Sequence, residues 1–114
     1  MMQLTGKKFV FESVEPVLAP DASEKSKQML AFFVMMAQEI WKDVTLCFCE
    51  DGTLTAQGGG IGADLKGTYT CTETGAEVNV PKFPKACVAE GDLIRFTDDA
   101  DTEGNKATLT FRLA

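Results

Sequence analysis

Residues 47–60 read CFCEDGTLTAQGGG, and whether this stretch is a thiol–glycine site or a β-hairpin decides the fold. Just before and within it, Val44, Leu46 and Phe48 alternate with Thr45, Cys47 and Cys49, the period of two that a strand with one buried face requires. Glu50-Asp51-Gly52 supplies a turn, and Thr53-Leu-Thr-Ala-Gln57 resumes the alternation, which predicts a hairpin. Cys47 and Cys49 then share one side of one strand, about 6 to 7 Å apart by strand rise, too far for a direct bridge in regular geometry. The glycines that follow, Gly58-Gly59-Gly60-Ile61-Gly62 with Ala63, match G-x-G-x-x-A in form. A dinucleotide loop must open a helix within a parallel βαβ unit. Here the next residues are DLKGTYTCT, rich in Thr and broken by Gly67, so a turn or strand kink is expected instead.

Working outward, Leu4 to Val14 (LTGKKFVFESV) reads as a first strand with Phe9, Phe11 and Ser13 on one face and Val10, Glu12 and Val14 on the other. Pro16 and Pro20 are expected to end it. Downstream, strands are predicted at Leu65 to Thr72, Ala76 to Val80, a proline-interrupted Val80 to Val88, Asp92 to Thr97 and Lys106 to Leu113. Pro81 and Pro84 belong in a loop or at an edge, since neither can donate to a ladder. The total is about seven or eight strands, with turn signals every eight to twelve residues, as in a sandwich or barrel.

One segment departs from this pattern. Asp21 followed by Glu24 resembles a capping box, and a helix is predicted over about 22–42. Met29, Phe32, Phe33, Met36 and Ile40 fall at helical spacing, and so do Leu30, Val34, Ala37 and Trp41. Two apolar stripes exceed one amphipathic face. The second half of the helix is therefore expected to be covered by the sheet and by something further: a barrel mouth, a ligand or a second copy of the chain.

The 114 residues, 45% hydrophobic and 25% charged, suit a single domain spanning 1–114. With 17 acidic against 11 basic residues the formal charge is −6, which repels a phosphate backbone, so no nucleic-acid partner is expected. The longest apolar run, Met29 to Ala37, is about half of the roughly 20 residues a membrane span needs. No secretory signal is recognised at the start, so a cytoplasmic location is expected, with a secreted or periplasmic one as the alternative if a signal was trimmed. Cys47, Cys49, Cys71 and Cys87 are sparse for a disulfide-stapled fold and are read as free thiols.

The residue inventory argues against catalysis. The chain has no histidine, which removes the commonest general base and every Ser-His or Cys-His pair. The carboxylates concentrate in turn-like runs such as EDG and DDADTEGN, where solvation keeps them ordinary. Asp99 to Gly104 copies half of a calcium loop, but the twelfth position is Thr110 where a bidentate glutamate is needed, so a hairpin turn with Glu103-Gly104-Asn105 at its tip is preferred. A tetrathiolate of the four cysteines lacks the paired C-x-x-C knuckles of structural zinc. No enzyme activity, metal or cofactor is expected.

Taken together, LTGKKFVFESV, Phe48-Cys-Glu-Asp-Gly-Thr53, Gly67-Thr-Tyr69, Gly91-Asp-Leu-Ile-Arg-Phe96 and the final TLTFRL resemble the bacterial lipocalin-like domains, small calycin-type β-barrels. Secreted stress-related domains with a comparable F-x-x-D-G and G-x-Y pattern are a second resemblance. Where lipocalins carry Gly-x-Trp near the N-terminus, this chain has Gly6-Lys7-Lys8. The resemblance implies a mainly β fold, a small antiparallel barrel with one long helix inserted after strand one, holding a small apolar ligand. Trp41, Phe48, Tyr69, Phe96 and Phe111 are then the candidate ligand contacts, with Trp41 at a lid, each in competition with plain core packing. The alternative function is an interaction domain that uses the Met-rich helix (Met29, Met35, Met36), in one form as a homodimer.

Overall fold

In the computed structural model, which describes residues 4–60, 64–81, 83–99 and 104–114, the hairpin around Asp51 is formed as its alternation requires. Strands β2 (Thr45–Phe48) and β3 (Thr53–Gln57) pair antiparallel, with Leu46 opposite Ala56 and Phe48 opposite Leu54. All four of these side chains are buried. Gly52 takes φ +87°, and the Asp51 carboxylate accepts the Thr53 backbone N–H at 3.0 Å, a local bond that fixes the turn.

The remaining strands follow in chain order: β1 (Lys8–Val17), β4 (Leu65–Cys71), β5 (Gly75–Asn79), β6 (Ala86–Glu90), β7 (Leu93–Asp99) and β8 (Lys106–Leu113). Each pairs antiparallel with the next, and β8 returns to β1, so the eight strands form a closed barrel. A single helix, α1 (Glu24–Trp41), lies between β1 and β2. The strand count left a sandwich or a barrel open, and it is the mainly β antiparallel barrel with a helix after strand one that forms.

β1 differs from its sequence reading in three ways, the first being that it begins at Lys8 and not at Leu4, because Thr5 and Gly6 form a turn with Gly6 at φ +78°. Its register against β8 shifts between Phe11 and Ser13, a bulge that takes Glu12 out of step. One extra residue reverses the inward parity, so Phe9 and Val14 are both buried although strict alternation sets them on opposite faces. The strand also continues through Pro16, which lies opposite Ala107. β2 pairs only with Lys8, Phe9 and Val10, so the later half of β1 has a neighbour on one side only, and there a missing N–H breaks no ladder.

The helix starts two residues later than the capping-box reading places it. Ser23, with extended backbone, is the N-cap, and its hydroxyl accepts the Ser26 N–H at 3.1 Å, satisfying one of the free donors of the first turn. At the other end Asp43 adopts φ +65°, the left-handed step that stops helices. The glycine run finds its use here: the Gly60 N–H donates to the Ile40 carbonyl at 2.9 Å. A side chain on Gly59 would collide with the Lys42 carbonyl and with Val44. Only bare backbone approaches the helix end this closely. Ile61, Gly62 and Ala63 lie outside the described residues, as do residues 100–103 of the calcium-like run.

The proline-bearing segment between β5 and β6 is a loop, as expected, and it folds Phe83 and Pro84 inward. Asn105, fully buried just before β8, accepts the Ala19 N–H at 2.7 Å through its side-chain oxygen, tying the β1–α1 connection to the β7–β8 hairpin. Removing a buried acceptor leaves its donor without a partner, at about 1–3 kcal/mol. Asn105→Ala is therefore expected to lower unfolding free energy by that amount, measured by chemical denaturation, with an unchanged far-ultraviolet spectrum of the native state.

Candidate functional site

The five aromatic candidates lie in two edge-to-face groups within the barrel core. Phe48 packs on Tyr69 with ring centroids 4.9 Å apart and on Phe9 at 5.6 Å. Tyr69 directs its hydroxyl to the Cys49 carbonyl, donating at 2.7 Å, so its polar end is satisfied. Phe96 packs on Phe111 at 5.7 Å and on Phe83 at 5.0 Å, and Trp41 closes the group against Phe83 at 5.3 Å and Phe111 at 6.2 Å. Phe48, Phe96 and Phe111 expose 0% of their surface. The structure thus brings Trp41, Phe96 and Phe111 together and sets Phe48 and Tyr69 in the second group. Phe9, Phe11 and Phe83 complete the packing without having been singled out; the buried-face parity of the first strand and the run Lys82-Phe83-Pro84 were the available signals.

Phe9, Phe48, Phe96 and Phe111 are the largest fully buried side chains of the core. The apolar hollow beside these rings is a recess of about 150 Å³ between α1 and the barrel, lined by Phe33, Ala37, Trp41, Pro84, Asp98, Ala107 and Leu109. Small-molecule sites commonly span about 300–1,000 Å³, so this one suits a small occupant. Trp41 is the member of the five that lines it. Larger hollows of about 540 and 680 Å³ are open troughs along β4 to β6 that include polar residues such as Thr68, Glu77, Asn79 and Lys85.

The helix divides its two apolar stripes sharply. Ser26, Leu30, Val34, Ala37 and Trp41, spaced by three or four, face the barrel. The other stripe faces solvent: Met29 is 60% exposed, Phe32 59% and Met35 58%, with Phe33, Met36 and Ile40 also exposed. No helix among the described residues is long and apolar enough to cross a membrane.

The cysteines do not assemble into a four-thiolate site. Cys87 is buried inside the barrel, whereas Cys71 is exposed on β4. Cys47 and Cys49, however, turn their sulfurs to within 3.6 Å of each other, closer than regular strand rise allows, because Cys49 has left β2 and begins the turn. Among the described residues no three His, Cys, Asp or Glu side chains converge as a metal cage. Asp51 is held below the usual carboxylate range by hydrogen bonds from the Thr53 hydroxyl and N–H, which favour its charged form.

No family model matches this chain, and neither does any curated protein or solved structure.

Two measurements check the core assignments. Phe111→Ala is expected to cost about 3–5 kcal/mol of stability, and Phe32→Ala on the exposed helix face within about 0.5 kcal/mol, by denaturant titration. Burial raises the Cys87 thiol from 9.0 to about 11. The folded chain then keeps this proton while the unfolded chain loses it, so stability is full below pH 9 and falls as pH rises from 9 to 11, by roughly 2–3 kcal/mol. Cys87→Ala is expected to remove that increment of alkaline loss, measured as the difference in denaturation free energy between pH 8.5 and 11.

Proposed function

We propose that this chain is a non-enzymatic interaction domain that self-associates through the outer face of α1. The observation that carries the reading is the exposed row Met29, Phe32, Phe33, Met35, Met36 and Ile40. Its side chains leave roughly 600 Å² of apolar surface in water, taking about 150–250 Å² for each large side chain. That is at the top of the 300–600 Å² range of the largest patch on a typical monomer. Two copies meeting there would bury about 1,200 Å² in total, the lower bound of a stable interface.

The occupant is a second copy because the row is self-complementary. Two helices laid antiparallel about the middle of α1 set Met29 of one copy against Met36 of the other and Phe32 against Phe33. Lys25 and Glu39, near opposite ends of the exposed face, come together in the same arrangement, within reach for an ion pair. Methionines adapt their shape to such contacts. A membrane surface fits less well, since anionic lipid headgroups repel a chain of formal charge −6.

A second reading is supported by the recess at Trp41. A small apolar molecule held between Trp41, Phe33 and Leu109 would be the lipocalin-like function on a reduced scale, with α1 as the lid. Phe48, Tyr69, Phe96 and Phe111 would then stand behind the ligand as supports.

Sedimentation velocity from micromolar to submillimolar concentration tests the first reading. The expected result is a concentration-dependent dimer that becomes monomeric in Phe32→Glu and in Met36→Glu, with thermal stability of the monomer retained. A monomer throughout, with the exposed row intact, would overturn it. Binding of a small apolar fluorophore that is lost in Trp41→Ala and kept in Phe32→Glu would move the assignment to the recess.

A further inference from the structure

The sulfurs of Cys47 and Cys49 sit 3.6 Å apart on the outer side of the β2–β3 hairpin, both half-buried and both free thiols. Their placement follows from the fold: Leu46 and Phe48 point inward, so Cys47 points outward, and the turn that begins at Cys49 swings the second thiol back toward the first. Two chemistries draw two thiols together: a direct disulfide or a shared metal ion. The geometry separates them.

A disulfide needs sulfurs at about 2.05 Å and Cα atoms no more than about 6.8 Å apart. From the 3.6 Å present the two sulfurs would have to close by about 1.5 Å to bond directly. A tetrahedral ion with metal–sulfur bonds of about 2.3 Å spans its two thiolates at about 3.8 Å, almost the separation present. We propose that Cys47 and Cys49 form a two-thiolate site for a thiophilic d¹⁰ metal ion of the zinc or cadmium kind, with solvent completing the coordination.

The surroundings suit such a site. Each thiol gives its proton to the buffer as its sulfur bonds the ion, two protons per ion bound. Asp51 adds negative charge nearby, and Lys66 offsets part of it. No third carboxylate or thiolate closes the site among the described residues, so the ion stays exchangeable, unlike one in a four-ligand structural cage.

Cadmium titration of the full chain, reduced with a phosphine in place of a thiol, reads the site directly through sulfur-to-metal charge-transfer absorption. One ion per chain is expected, with two protons released for each ion and affinity falling as pH is lowered. Cys47→Ser and Cys49→Ser should each weaken binding at least about tenfold, as loss of one of two ligands demands, while Cys71→Ser leaves it unchanged. Far-ultraviolet spectra establish that the variants are folded. Absence of the absorption band, one ion shared between two chains, or binding that survives in both serine variants would overturn the proposal.

Discussion

The pairing of β1 with β8 closes the barrel, and the rest of the molecule is arranged around it. The two strands run side by side from Phe9 opposite Leu113 to Val17 opposite Lys106. Without that ladder both would be open edges, the feature sheet proteins most need to hide. The bulge at Glu12 lets one strand serve two neighbours. Before it, Phe9 reaches the interior where β1 meets β2; beyond it, Val14 reaches the interior where β1 has only β8 beside it. The helix packs against this strand.

Closure of a short barrel around so many rings has a functional consequence. Eight strands enclose a volume that side chains can fill, and here phenylalanines pack edge to face at 5.0 to 5.7 Å. Close packing of these rings stabilises the fold. On the outside lie the exposed apolar face of α1, the recess beside Trp41 and the paired thiols of the first hairpin.

Much of the fold was legible because strands announce themselves by alternation and turns by glycine. Val44, Leu46 and Phe48 read as inward and are inward; Lys106 to Leu113 reads as a strand and is one. Apart from the helix cap, what escaped the reading depends on neighbours distant in sequence. The parity change at Glu12 is written in β8, against which the bulge is defined. Ser23 caps the helix although Asp21 has the more familiar spacing, because only Ser23 is placed to accept the Ser26 N–H. The glycines at 58–60 are explained by a helix end that approaches them, and Asn105 by an amide 86 residues away. Of the candidate site, the apolar excess of α1 was plain from composition alone, but which stripe the barrel covers follows from how the helix docks.

The closing ladder also governs how the chain reaches its native state. Phe9 and Leu113 lie almost the whole chain apart, so the contact that completes the barrel is the one with the largest entropic cost of chain closure. The local hairpins β2–β3 and β7–β8 can form early, on the microsecond scale, yet none of them seals the core. Topologies dominated by such distant pairings fold in milliseconds to seconds. During synthesis, β1 must wait with an unpaired edge until β8 emerges, and in that interval the apolar row of α1 and the open strand are exposed together.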